Sequence, residues 1–385
     1  MQSKEIYAKT TRHFLQPVVD FLDDPTVSEI MINGPDTVYI ERQGRLQLAE
    51  GVRFASSGAL LAAARNIAEY AGRSLPALPS TRAALGRSLD GPHSVDARLP
   101  DGSRVHIILP PSSRVGVCLS IRKFNTSALG LADLVQFGTL TSEAAEFLGL
   151  AVAMHQNLVV SGGTGSGKTS LLNALSTTIS SDERIVVIED SSELQLQQPH
   201  TLYLESQAAA PDGRGAVSIR DLFVDSLRMR PDRILVGEVR RGEALDLVQS
   251  MISGHSGSMT TVHASTPRDA AVRLETLCLM SGIELPVVVA RMQVASAIHL
   301  VVQIRRFPDG SRRVETISEC RGLGAEGDYQ FIDLYRFQAR GHDAQGRLVG
   351  QLQATGQQPQ FASQIGVLGL ADRVKETAKL FAGHL

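Results

Sequence analysis

The spacing of apolar and polar positions changes twice along the 385-residue chain. In the first third the apolar residues alternate at strand spacing. Residues 27–33 and 37–41 form two such runs, separated by Gly34-Pro35, a turn pair that cannot continue a ladder, and a second turn follows at 42–45. Residues 57–71 shift to helical spacing, with Leu60, Leu61, Ala64, Ile67, Ala68 and Ala71 on one face and Gly72 as a stop. Strand spacing returns at 95–99, 104–109 and 115–121, the first two joined by Pro100-Asp101-Gly102. The pattern predicts an α+β domain over 1–125, followed by a small-residue, glycine-containing connection over 126–140.

From 141 onward strands and helices alternate: helix 141–156, strand 157–161, helix 168–179, strand 184–190, helix 218–229, strand 233–237, helix 242–252, strand 259–263 and a helix opened by Pro267. Such alternation predicts a mainly parallel sheet with helices on both faces, an α/β domain over 141–385. After about Ile298 the strand period resumes. Residues 305–313 read as a hairpin tip whose charges are solvated, 328–340 as another strand, and 371–382 as a terminal helix.

Composition narrows the class. Lys and Arg number 38 against 40 Asp and Glu, a net charge of −2, which argues against a basic nucleic-acid coat and an acidic solvating tail. Trp is absent and aromatic residues make up 5%, leaving little for a base-stacking platform. Cys118, Cys278 and Cys320 show no metal spacing and read as free thiols in a reducing compartment. The first 14 residues lack the apolar core of an export signal, and the most apolar stretch, 283–304, is interrupted by Glu284, Arg291 and His299. The expectation is a non-exported protein whose membrane association is peripheral.

Chemistry concentrates in Gly162-Gly163-Thr164-Gly165-Ser166-Gly167-Lys168-Thr169, a full GxxxxGK[ST] phosphate loop, with Ser170 behind it. An apolar strand precedes it and a helix follows, so backbone N–H groups and the helix N-terminus would face an anion. Lys168 would reach the β- and γ-phosphates, and Thr169 would ligate Mg²⁺. Glu189 and Glu238 end two predicted sheet strands, where open α/β sheets place ligands. One acid to orient the attacking water and one near the metal would meet the needs of phosphoryl transfer. His263 follows a short apolar run and would sense the γ-phosphate. His255, eight residues earlier, reads equally as a core histidine, and no third residue completes a zinc spacing. Arg228, Arg230, Arg233, Arg240 and Arg241 cluster around Pro231 and Glu238 and read either as phosphate partners or as salt bridges.

These boxes, in this order, resemble the secretion-superfamily traffic ATPases. The segments 24–35, 95–104 and 119–124, with 327–337 and 356–361 in the tail, are similar to the Tad/Flp pilus assembly ATPases. The resemblance covers nearly the whole chain. It implies a carboxy-terminal RecA-like phosphate-loop domain behind a smaller PAS-like α+β domain, and a homo-hexameric ring that hydrolyses ATP with Mg²⁺. It further implies attachment to inner-membrane pilus or secretion platform proteins, on the cytoplasmic side of a bacterial membrane, with no direct nucleic-acid partner. By the same resemblance Glu189 is the water-activating base, Glu238 lies near Mg²⁺, Arg228 is the arginine before Pro-Asp, and His263 approaches phosphate. Arg104, Arg122 and Arg240 would contact nucleotide. A type IV secretion or conjugation motor shares the same boxes. From other classes, a nucleic-acid motor is disfavoured by the charge and aromatic content, and a nucleotide-gated scaffold without turnover would leave the acidic constellation unexplained.

Overall fold

A computed structural model of the chain describes residues 2–42, 44–76, 93–123, 129–207, 209 and 214–385. It divides into two units, Met1–Thr126 and Ser127–Leu385. In the first, strands β1 (Val27–Asn33), β2 (Val38–Arg42), β3 (Arg45–Leu48), β4 (Ser94–Arg98), β5 (Arg104–Ile108) and β6 (Cys118–Arg122) form an antiparallel sheet ordered β3-β2-β1-β6-β5-β4. Helix α1 (Gln2–Phe14) and the short α2 (Val19–Asp23) precede the sheet, and α3 (Ser57–Tyr70) packs its Leu60, Ala64 and Ile67 face into the core. Ser56 starts α3 by accepting the Ala59 N–H at 3.1 Å. The sequence reading misses α1, whose residues are polar on average. Gln43, in the turn expected at 42–45, lies outside the described residues.

The second unit is a RecA-like α/β domain. Its sheet is ordered β15-β14-β13-β12-β7-β11-β10-β8-β9. The strands are β7 (Leu158–Ser161), β8 (Ile185–Glu189), β9 (Thr201–Glu205), β10 (Arg233–Val236), β11 (Met259–Val262), β12 (Leu300–Arg306), β13 (Arg312–Leu323), β14 (Tyr329–His342) and β15 (Leu348–Ala354). From β12 to β9 every pairing is parallel, and β13 to β15 extend the sheet as an antiparallel wing. The parallel strands β7, β8, β10 and β11 are buried along their whole length, as two helical covers require.

One face, with Leu158, Val160, Ile185 and Val187, shares a core with α5 (Ser142–Ala153), α6 (Lys168–Ser176) and the tail. The other, with Val159, Val186 and Ile188, packs on α7 (Ile219–Ser226), α8 (Glu243–Ile252), α9 (Pro267–Leu279) and α10 (Val287–Ala297). Two expectations are corrected. The connection expected at 126–140 contains a helix, α4 (Leu131–Gln136), begun by Asp133 accepting the Gly130 N–H at 2.8 Å and anchored by buried Leu134. Residues 126–128 of that stretch lie outside the described residues. The terminal helix expected at 371–382 is reduced to one 3-10 turn, Ala371–Arg373, after which the chain runs in bends and turns. Those turns are fixed by Glu146, whose carboxylate accepts the N–H groups of Lys375, Glu376 and Thr377, and by Phe381 packing near Phe147.

Candidate active site

Strand β7 ends at Ser161 and the chain bends through 162–167 before α6 begins at Lys168. Gly167 makes that bend with φ of +96°, a conformation that favours glycine. Within the loop the Gly163 carbonyl accepts the Ser166 hydroxyl at 2.8 Å and the Lys168 ammonium at 3.1 Å. Lys168 is thereby folded onto its own loop, with its Nζ also 3.3 Å from His263 Nε2 and 3.4 Å from Nδ1. The Thr169 hydroxyl, in the first turn of α6, donates to Glu193 at 3.0 Å. Ser170 is exposed on the same turn.

Glu189 is the last residue of β8 and only 4% exposed. Its Oε1 accepts the N–H groups of Glu193 and Leu194 at 2.9 and 3.0 Å. Burial outweighs those two bonds and pushes its carboxyl up to about 7. Gly237 leaves room for it, since a Cβ there would lie 2.9 Å from both Glu189 Cγ and Oε1. Glu238 follows Gly237 at the exit of β10. Its Oε2 pairs with Arg240 at 2.5 Å, while Arg240 also pairs with Asp190 at 2.6 Å.

The second oxygen of Glu238 lies 2.8 Å from His263 Nε2. Burial first, and the Lys168 ammonium next, lower the His263 pKa, which favours the neutral ring. The His263 ring thus stands between the Lys168 ammonium and the second Glu238 oxygen. The outcome is a polar chain, Lys168 to His263 to Glu238 to Arg240 to Asp190, running from the phosphate loop across the strand ends.

Not every residue singled out in the sequence arrives there. Arg228 follows α7 and precedes β10, so it sits where strands enter the sheet; its neighbour Met229 accepts from Arg184, just before β8. The length of β10, roughly 13 Å, separates that edge from the phosphate loop. Arg233 is fully buried and structural: it pairs with Glu183 and donates to the carbonyls of Val152 and Gly257. Arg241 is exposed, and His255 lies at the entry end of β11. In the first unit Arg104 and Arg122 stand opposite one another on β5 and β6.

Sequence reasoning places a hairpin tip at 305–313, where β12 turns into β13, but misses its contact with the phosphate loop. The tip charges, expected to be solvated, include Arg312, whose Nε donates to the Gly165 carbonyl at 3.0 Å. No local signal reveals this contact, because it depends on β12 lying beside β7 in the sheet.

A phosphate loop closing a buried parallel strand, with acidic strand exits beside it, defines the class: a nucleoside-triphosphate hydrolase of the phosphate-loop type. Residues 12–348 match the family described as type II/IV secretion system protein, and the chain belongs to that family. A putative conjugal transfer protein of Mycobacterium tuberculosis is 35% identical over 314 residues, covering 80% of this chain and 84% of that protein. The type IV secretion system protein VirB11 of Bartonella henselae is 31% identical over 341 residues, covering 79% of this chain and 91% of that protein. The solved structure of the pilus retraction motor PilT with bound ADP aligns with a TM-score of 0.51 at 17% identity, over 82% of each chain, a likeness of fold.

Proposed function

We propose that the chain hydrolyses ATP with Mg²⁺ in a homo-hexameric ring, and that turnover drives assembly of a Tad-type pilus from the cytoplasmic face of a bacterial inner membrane. Attachment is peripheral, through platform proteins; among the described residues no helix is long and apolar enough to cross a membrane. The observation that carries the motor reading is the polar chain from Lys168 through His263 to Glu238 and Arg240. A γ-phosphate taking Lys168 and His263 as partners would rearrange that chain, and its loss on hydrolysis would restore it, so chemistry is converted into a change at the strand exits.

In this reading Lys168 and the loop N–H groups of residues 162–170 hold the phosphates, and Glu189 is the base that takes the proton from the attacking water. Thr169 and Glu238 would hold Mg²⁺. Their hydroxyl and carboxylate, with the Glu193 carboxylate on Thr169, are the hard oxygen donors that suit this ion. When bound, the ion would neutralise charge on the β- and γ-phosphate oxygens. Arg240 is the cis arginine beside the site, Arg228 is assigned to a neighbouring subunit's nucleotide, and Arg104 and Arg122 are the first unit's nucleotide contacts.

A second reading, a type IV secretion or conjugation motor, is supported by the names of the relatives in Mycobacterium tuberculosis and Bartonella henselae. A chromosomal Lys168→Ala allele separates the two. Loss of surface pili with intact DNA or protein transfer supports the pilus motor, and the reverse supports the secretion motor. Co-purification of the tagged chain with a pilus platform protein from solubilised membranes is the companion test. Failure of the purified ring to release phosphate from ATP would remove both readings.

A further inference from the structure

The phosphate loop is held from outside as well as within. Strand β12 runs parallel to β7 with Gln303 opposite Ser161, so Ile304, Arg305 and Arg306 continue past the point where β7 turns into the loop. The hairpin to β13, with Arg306 opposite Arg312, therefore overhangs residues 162–167. The contact is close. A Cβ on Gly162 would run into the Ile304 carbonyl, one on Gly167 would lie 3.4 Å from Arg312 Cδ, and one on Gly165 would lie 3.4 Å from Arg306 Nη1. Loop glycines that serve the phosphates thus also admit the hairpin.

We propose that this hairpin is a brace for the phosphate loop, with Arg312 as its positioning residue, and that the antiparallel wing thereby sets nucleotide affinity. The argument runs through one peptide plane. Arg312 Nε holds the Gly165 carbonyl at 3.0 Å. Since a trans peptide directs its C=O and N–H to opposite sides, fixing that carbonyl outward aims the Ser166 N–H into the loop. That N–H makes a long bond, 3.4 Å, to the Gly163 carbonyl, weak enough to be exchanged for a phosphate oxygen. The guanidinium of Arg306 beside Gly165 adds positive charge on the same side.

The brace is itself anchored in the wing. Asp309, at the tip, accepts the N–H and hydroxyl of Ser311 at 3.0 and 2.7 Å and the N–H of Leu348, the first residue of β15, at 2.8 Å. Arg313 donates to the Leu348 carbonyl at 2.8 Å and stands over the Phe337 ring, which packs 5.7 Å from Phe307. A mechanical path therefore leads from β14 and β15 through the tip to Gly165.

This inference rests on ATP being the ligand of the loop, and the test separates the two. Steady-state hydrolysis and calorimetric ADP titration are measured for wild type, Arg312→Ala, Arg312→Lys, Asp309→Ala and the Arg312→Ala/Asp309→Ala double variant, with thermal melting of each without nucleotide. Wild type that neither hydrolyses ATP nor binds ADP removes the ligand assignment itself. Given wild-type turnover, Arg312→Ala is expected to raise KM for ATP and Kd for ADP about tenfold with kcat changed less than about twofold, the effect of losing one charged donor. Arg312→Lys, which keeps a donor, recovers part of that affinity. Asp309→Ala, remote from the loop, raises both constants about threefold and adds nothing on top of Arg312→Ala. Unchanged KM and Kd in Arg312→Ala overturn the proposal. So does an Asp309→Ala effect that is absent or fully additive, because Arg312 would then act on nucleotide directly rather than through a braced loop.

Discussion

Glu189→Gln tests the base assignment and the electrostatics of its site together. The amide has nearly the same shape, and its oxygen still accepts from Glu193 and Leu194, but it carries no charge and takes no proton. In the folded protein the Glu189 carboxyl titrates at about 7 against an ordinary 4.5, mainly because it is buried. That displacement corresponds to roughly 3 kcal/mol. The sign follows from the raised value. Stability associated with the neutral carboxyl is fully present below pH 4.5 and is lost as pH rises through 7, because the unfolded chain ionises first. Glutamine does not titrate, so the variant gains on wild type as pH rises.

Chemical denaturation at pH 5 and pH 8 is therefore expected to show the Gln variant pulling ahead by about 3 kcal/mol at the higher pH, with most of the gap closed at the lower. Phosphate release in wild type should fall about tenfold between pH 7 and pH 5.5, as the base becomes protonated, and in the variant should fall about 10²- to 10⁴-fold at every pH. ATP binding persists in the variant. A stability gap equal at both pH values would refute the burial argument, and hydrolysis by Glu189→Gln above a tenth of the wild-type rate would refute the base.

Other expectations follow from the same geometry. Lys168→Ala and Glu238→Ala should each lower phosphate release by at least 10²-fold in a colorimetric assay, since each breaks the chain between loop and strand exits. Arg233→Ala leaves Glu183 without its buried partner at the far end of the sheet, so it should lower unfolding free energy by about 3–5 kcal/mol in urea. Phe381→Ala should cost about 3–5 kcal/mol by the same measurement, because the tail's aromatic ring is fully buried near Phe147. In rings mixed from Arg228→Ala and Glu189→Gln subunits, partial recovery of turnover is expected if Arg228 serves a neighbour's nucleotide, and turnover no greater than that of the parent variants would count against that assignment.

Much of the candidate site is legible in the sequence. The phosphate loop is a local motif: its glycines, Lys168 and Thr169 are adjacent in sequence, and the strand and helix around it are set by the spacing of apolar residues. Glu189 and Glu238 stand out in the sequence because parallel strands bring their C-terminal ends to one edge; that β8 and β10 lie side by side is what puts the two acids together. Arg233 resisted this logic. In sequence it belongs with Arg228 and Arg240, yet its position at the start of β10 turns it into the interior at the opposite end from the phosphates.

The sequence alone determined the two architectural patterns and the phosphate loop, because each depends on residue type at short spacing. Only the tertiary structure decided which charges meet. The order β12-β7-β11-β10-β8 brings His263 against Lys168 and Glu238, and carries the Arg312 hairpin over Gly165. Those contacts join residues far apart in the chain, and a side chain's own neighbours hold no record of which strand will lie beside it.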